Sequence, residues 1–412
     1  MRCSWKVVIL MAVVSIIVIQ YAVIRSFRTM THDICPFLHP AKHCQQQTIL
    51  NRHWPEENPH TLNLSGKTHV LILAATRSGS SFLGQLFNHH SDVFYLYEPL
   101  NHIQTALNST HANRRMILGA SRDLLRGLFR CDLHLLEDYI RPQPEKHITD
   151  QLKRRGASKA LCSPPVCHVF SPQLVNVTES QCVQKCGSLN LTLASQSCQQ
   201  RGHVVIKTVR VPEVSDVRDL LEDPQLNLKV IQLVRDPRGV LASRMMTFPQ
   251  NYPLMRLWKM KHQKPEGLNL TQEPVCEDYR RSVATALRQP DWLRGRYMLV
   301  RYEDLATNTL QKIQEIFKTL GLSFDENIMD WIETNTEGKG DWSPMDAYGT
   351  KRHSATNSES WRFKMSFDMV QYVQTLCETT LHQLGYKIVK SSEELENVSL
   401  SLVEDRTWRP FQ

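Results

Sequence analysis

The chain has 412 residues, with 49 Lys and Arg against 41 Asp and Glu, and a formal net charge of +8 at pH 7. That length suits one large α/β domain or two smaller ones. The positive balance suits acidic partners, but no RNA- or DNA-binding motif accompanies it, which argues against nucleic acid.

Val7–Ile24 is a run of 18 residues without a charge, at the short end for a membrane-spanning helix. No small-residue cleavage site follows it, so an uncleaved signal anchor is expected rather than a signal peptide. Residues 1–6 then form a cytoplasmic tail, 7–24 the anchor and 25–66 a polar stem. Arg2 and Lys6 on one flank and Arg25 and Arg28 on the other leave orientation open. The sequons at Asn63, Asn108, Asn176, Asn190, Asn269 and Asn397 all follow the apolar run and favour a lumenal body. Ten of the 11 cysteines also follow it. Six of them, Cys131, Cys162, Cys167, Cys182, Cys186 and Cys198, form a cluster whose spacing does not match a zinc ribbon. An oxidising compartment favours disulfides there, with no metal and with pairing open.

The body starts near Lys67. The run His69–Ala75 reads as a buried parallel strand, Val70–Ala74 at its centre, and helical spacing begins at Phe82. Between them lies Thr76-Arg77-Ser78-Gly79-Ser80-Ser81-Phe82. A strand, a small-residue turn and a helix start make an anion cradle: helix N–H groups point outward, and the dipole favours negative charge. The turn lacks one glycine and the Lys-Ser/Thr pair of a Walker A loop, so metal-assisted nucleotide hydrolysis is not indicated. A strand Val93–Tyr97 ends at Glu98. A helix Arg114–Phe129 follows, then the cysteine-rich insertion 131–201. Strand Val204–Thr208 contains Lys207 and precedes Arg210, and a helix is expected over Glu213–Leu221. Strand Val230–Val234 ends at Arg235, with Asp236 placed to N-cap and Pro237 to open a helix over Pro237–Met246. Ser243 lies about two turns along it, so one extended anion could touch both Arg235 and Ser243. Helices Glu277–Leu287 and Leu310–Leu320 flank a strand Tyr297–Tyr302. A last helix, Phe367–Leu384, ends at Gly385. Strands alternating with helices argue a parallel sheet covered on both faces, with ligands at the carboxyl ends of its strands.

The turn Thr76–Phe82 resembles the 5′-phosphosulfate loop of sulfotransferases, and Leu233–Arg244 is similar to their 3′-phosphate element. Further likeness runs through Phe94–Leu100, Leu118–Arg126, Lys207–Glu213, Leu299–Ala306 and Leu402–Phe411, covering nearly everything after about Lys67. The chain closely resembles the Golgi galactose/N-acetylglucosamine 6-O-sulfotransferases, and within them the keratan sulfate galactose 6-sulfotransferases. The resemblance implies a P-loop-like sulfotransferase fold, with a central parallel sheet between helices and an N-terminal transmembrane helix. It implies 3′-phosphoadenosine-5′-phosphosulfate (PAPS) as donor, no metal, and transfer to the 6-hydroxyl of galactose in keratan sulfate or N-acetyllactosamine-type glycans. The expected partners are that glycan and the Golgi membrane, with the catalytic body lumenal. A homodimer is left open. N-acetylglucosamine, N-acetylgalactosamine and a dead glycan-binding relative are the alternatives, and a P-loop-like kinase is the other enzyme class considered.

Sulfuryl transfer needs an in-line acceptor hydroxyl, a base, leaving-group stabilisation and donor positioning. Arg77 is the expected stabiliser of the leaving phosphate, where relatives often carry Lys. Glu98 is the expected base, at the same sheet edge as the loop, with His102 next in line. Lys207 and Arg210 are candidates for binding sulfonate or a sulfated acceptor, or for a plain salt bridge. Lys351, Arg352, Ser354 and Trp361 occupy the place where sulfotransferases carry a loop over the nucleotide. Tyr302, Glu303 and Asp304 read as a helix cap rather than a metal or acid pair.

Overall fold

The computed structural model describes residues 66–107, 112–170, 178–271, 273–336, 354–406 and 408. The expected anchor 7–24, the stem up to residue 65, Asn63, Asn108, Asn176, Lys351 and Arg352 lie outside them. Among the described residues no helix is long and apolar enough to cross a membrane.

Five strands form one parallel sheet: β1 (Thr68–Ala74), β2 (Val93–Tyr97), β3 (His203–Thr208), β4 (Leu228–Val234) and β5 (Tyr297–Arg301), in the order β2-β3-β1-β4-β5. Six helices matter for the argument: α1 (Ser80–Asn88), α2 (Arg114–Phe129), α3 (Pro237–Thr247), α4 (Val275–Leu287), α5 (Thr309–Leu320) and α6 (Phe367–Leu384). The strands are apolar on both faces because both faces are covered. Along β1, Leu71 and Leu73 enter one core with Leu124 of α2, Val283 of α4 and Val370 of α6. Val70, Ile72 and Ala74 enter a second with Leu83 of α1, Ile316 of α5 and Trp331. This alternation is the two-residue period of a strand, with both sets buried.

The cysteine-rich insertion separates β2 from β3, as the sequence indicates. Cys131–Cys198, Cys162–Cys182 and Cys167–Cys186 staple it. A fourth bridge, Cys276–Cys377, joins α4 to α6. The insertion also holds a two-residue antiparallel ladder, Ile148–Thr149 with Leu189–Asn190, too short to show as a period. The expected helix Glu213–Leu221 is instead a 3₁₀ turn, Val214–Val217, running into a short α-helix, Arg218–Leu221. Glu213 caps the tight turn reciprocally with Asp216, which favours the 3₁₀ start.

Candidate active site

β1 and β4 are hydrogen-bonded neighbours, with Ala74 opposite Leu233. The two turns that leave their carboxyl ends therefore lie side by side. In the first, Gly79 sits in the left-handed region at φ +89° and precedes α1 with no side-chain cap. A Cβ on Gly79 would lie 2.2 Å from Cδ2 of Tyr302, so the backbone crosses the face of that ring at a distance only glycine permits. Arg77 is left-handed as well, at φ +71°. The first N–H groups of α1, at Ser80 and Ser81, have no intrahelical acceptor and open onto the turn.

Not every residue of this turn faces outward. Ser78 is fully buried and its Oγ donates to Ala75 O at 2.7 Å. Phe82 donates its N–H to Gly79 O at 3.0 Å and packs its ring 5.7 Å from that of Trp331. Both were expected among the cofactor contacts. The Ser78 hydroxyl and the Phe82 N–H are engaged inside the turn.

The second turn is built as the spacing predicts. Asp236 N-caps α3, accepting from Arg238 N, and Pro237 opens the helix. Arg235 is buried, and its Nη1 donates to Arg77 O at 3.2 Å. Its guanidinium lies 4.8 Å above the Tyr302 ring. Arg235 Nε is buried with no hydrogen-bond partner among the described residues. A buried charged donor left open costs free energy, and an anion would remove that cost. Arg77 Nε donates to Ser243 Oγ at 3.0 Å, which ties the two turns together. Next to it, Arg244 Nε donates to Thr76 O at 3.0 Å.

Glu98 leaves β2 in a left-handed conformation, φ +46°, its N–H on Lys207 O at 3.0 Å. One carboxylate oxygen is bonded to Lys207 Nζ and the other to Arg210 Nη1. Burial favours the neutral acid, but Lys207 and then Arg210 outweigh it and hold the carboxyl well below its usual range. Lys207 is 1% exposed and lies 4.3 Å from the centroid of the Tyr97 ring. The sequence places Lys207 and Arg210 among the acceptor contacts, yet here both are engaged by Glu98. Only Arg210, also bonded to Gln104 Oε1 at 2.8 Å, reaches the open cleft. His102, the alternative base, accepts at Nε2 from Lys153 N at 3.2 Å, and burial, Lys153 and Arg210 push it down to about 4.

Beside the turns lies a cleft of about 390 Å³, lined by Thr76, Arg210, Gln232, Arg244, Tyr252 and Asp278 among others. Asp278, on α4, has its carboxyl pushed up to about 6, by burial first and by Glu213 next. Sequence reasoning misses Asp278 and Tyr252, which come from segments with no anion-binding pattern.

Two further expectations are corrected. Trp361 is 2% exposed and packs 4.9 Å from the Arg238 guanidinium, so its ring is core rather than a cover over a nucleotide. Ser354 begins the short helix Ser354–Glu359. Glu303 does not cap its own helix: it accepts from Asp236 N at 3.0 Å and from Tyr386 Oη at 2.7 Å, bracing the second turn from below. Asp304 pairs with Arg301 at 2.8 Å.

The sulfotransferase domain family matches residues 67–385. Carbohydrate sulfotransferase 1 of Danio rerio is 58% identical over 420 residues, covering all of both chains. The human protein of that name is 54% identical over 418 residues, again covering all of both. Mouse carbohydrate sulfotransferase 3 is 42% identical over 351 residues, spanning 82% of this chain and 72% of its own. Among solved structures, a sulfotransferase domain from the curacin biosynthetic pathway superposes with a TM-score of 0.39 at 16% identity, covering 78% of this chain and 99% of that one. A mouse sulfotransferase complexed with PAP superposes at 0.35 and 9% identity, covering 81% and 88%. With the family match spanning most of the body and close relatives matching end to end, the chain belongs to the sulfotransferase family, among the carbohydrate sulfotransferases.

Proposed function

We propose that this chain transfers a sulfuryl group from PAPS to the 6-hydroxyl of galactose in keratan sulfate or N-acetyllactosamine-type glycans. The observation that carries the donor side is the Arg77–Ser243 hydrogen bond, which joins two anion-facing turns at adjacent strand ends. The full-length likeness to proteins named carbohydrate sulfotransferase 1 supports a carbohydrate acceptor.

PAPS would supply the activated sulfuryl group. Thr76, Arg77, Gly79, Ser80 and Ser81 would hold its 5′-phosphosulfate, and Arg235 with Ser243 its 3′-phosphate. The unpartnered Nε of Arg235 fits that use. Arg77 then places a fixed charge where negative charge grows on the leaving phosphate. Glu98 is held ionised, which a base requires, while its two cations lower its appetite for a proton. Thr76 and Arg210 line the same cleft. An anion seated there draws part of Arg210's charge away from Glu98 and raises its proton affinity once the donor is in place. The acceptor hydroxyl would give up its proton to the carboxylate as its oxygen attacks sulfur and the bond from sulfur to the 5′-phosphate oxygen breaks, releasing adenosine 3′,5′-bisphosphate.

The same reading makes 7–24 a signal anchor in the Golgi membrane, 25–66 a stem and 67–412 the lumenal catalytic body. Asn269 and Asn397 suit glycosylation: both are exposed, and each side-chain oxygen accepts a backbone N–H two residues on. Asn190 spends its oxygen capping the helix Leu191–Gln199.

Incubation with [35S]PAPS and a glycan panel, followed by linkage analysis, tests the proposal. Label on C6 of galactose is the expected outcome. Label confined to N-acetylglucosamine or N-acetylgalactosamine would overturn the acceptor, and no label on any glycan would overturn the activity.

A further inference from the structure

The insertion carries a second group of chemistry-bearing side chains that the sulfate-transfer reading does not use. His134 and Glu137 sit one turn apart on the 3₁₀ helix Leu133–Asp138, and His147 immediately precedes the short ladder. Their donor atoms converge. His134 Nδ1 is 3.2 Å from Glu137 Oε1 and 3.2 Å from His147 Nδ1, and His147 Nδ1 is 2.7 Å from the same Oε1. None of the three belongs to the turns or the cleft described above.

Each neutral imidazole offers either a lone pair or an N–H at Nδ1, and with both lone pairs turned inward the three atoms are acceptors that face one another. A cation lifted slightly off the plane of the three atoms satisfies all of them at once. Such a position is roughly 2.0–2.2 Å from each atom, the range for Zn²⁺ with His nitrogen and carboxylate oxygen. Two imidazoles and a carboxylate form a borderline-soft set that suits Zn²⁺ over Ca²⁺ or Mg²⁺.

The two arms are also held in place before any ion arrives. Leu133 N donates to Ser195 Oγ at 3.1 Å and Leu191 N donates to His147 O at 2.8 Å, so both arms are pinned to the helix Leu191–Gln199. The Cys131–Cys198 disulfide ties the end of that helix to the start of the first arm. Lys146 and His147 are left-handed, at φ +51° and +64°. Strain of that kind in non-glycine residues persists only where the surroundings enforce it, and it collects at binding sites.

The geometry points to a Zn²⁺-type divalent cation site at His134, Glu137 and His147, with at least one coordination position open to solvent. The side chains of His134 and His147 are 37% and 53% exposed, which leaves an entry path. The sequence reading assigns no metal to this chain; the signal is missed because the third ligand comes from another segment and no zinc-ribbon spacing is present.

The test uses the purified full chain, stripped with a chelator and titrated with Co²⁺ as a spectroscopic probe and with Zn²⁺ by calorimetry. The expected result is saturable binding of one ion per chain, d–d bands of imidazole-bound Co²⁺ that Zn²⁺ displaces, and a Zn²⁺-dependent rise in melting temperature. His147→Ala and Glu137→Gln should each weaken binding at least tenfold while melting like the parent without metal. Glu137→Gln, of equal size, carries the comparison if His147→Ala does not fold. Absence of saturable binding, or binding unchanged in Glu137→Gln, overturns the site.

Discussion

Glu98 occupies a position that is strained in its backbone and neutralised in its charge. If it is the base, Glu98→Gln should lower kcat by about 10²–10⁴-fold while PAPS binding changes little. The acid limb of the pH–rate profile should move or vanish with it. A Glu98 that only anchors Lys207 and Arg210 would instead lower the melting temperature and leave that limb in place. Arg235 lends itself to a cleaner separation. Arg235→Ala should weaken adenosine 3′,5′-bisphosphate by roughly 10–100-fold, the loss of a charge-assisted contact. Adenosine 5′-phosphate should bind mutant and parent almost equally, and equal losses for both nucleotides would show that Arg235 is structural. Ser243→Ala discriminates less well, because Ser243 also holds Arg77. A third residue effect concerns pH. Burial first, and Asp236 second, push the Glu303 carboxyl up to about 7. Its folded value lies above its unfolded one, so the native state binds the proton more tightly. Stability from this group is present below about pH 4.5 and is lost as pH rises toward 7. The loss should be on the order of 3 kcal/mol. Urea melts of the parent and of Glu303→Gln between pH 5 and 8 measure it, and the variant's curve should be flatter.

At the scale of elements, the five strands and the long helices were legible because burial on both sheet faces leaves an uninterrupted apolar run and helix faces keep their period. The two anion turns were legible because their residue types are required by the chemistry of backbone donors at a helix start. What was not legible is what crosses between elements. Tyr302 is an ordinary aromatic in sequence, yet its ring sets the need for Gly79 and carries Arg235. Arg154, from the insertion, donates to Tyr97 Oη at 2.8 Å and pairs with Glu179, so the insertion reaches back to the strand that bears Glu98. The six clustered cysteines could be read as a stapled unit, but not their pairing. Cys276 and Cys377 are 101 residues apart on two helices, and nothing local marks them as partners. Closing a loop of that length contributes roughly 4–5 kcal/mol in the chain-entropy description. Cys276→Ser with Cys377→Ser should therefore lower the melting temperature by several degrees while leaving donor contacts intact. Mass spectrometry of unreduced peptides should recover all four bridges, and free thiols at Cys162, Cys167, Cys182 and Cys186 would contradict the stapled insertion.

At the scale of the whole molecule, the site is held from behind by chain that lies beyond the family match, which ends at residue 385. Three buried arginines depend on acceptors in that C-terminal segment. Arg362 is 1% exposed and donates to the carbonyls of Glu394, Leu395, Asn397 and Leu400. Arg301 donates to Glu404 O at 2.9 Å, and Arg238, fully buried, donates to Lys387 O at 3.0 Å. Tyr386 supplies the hydroxyl that holds Glu303 against Asp236 N. A chain ending at Gly385 keeps every strand and both anion turns but strips these groups of their C-terminal carbonyl acceptors. Arg238, Arg301 and Arg362 keep their pairing carboxylates Asp236, Asp304 and Glu359, but a buried donor left without its acceptor costs about 1–3 kcal/mol, and the six carbonyl bonds lost together approach the whole stability of a domain. The truncated chain should fail to fold, or melt at least 10 °C below the parent in differential scanning fluorimetry. Arg362→Met, which removes the charge together with its own donors in a full-length chain, should lose less than the truncation. A truncated chain that melts with the parent and still binds adenosine 3′,5′-bisphosphate would show that the catalytic unit ends where the family match does, and that Tyr386 and the carbonyls beyond it only decorate the back of the sheet.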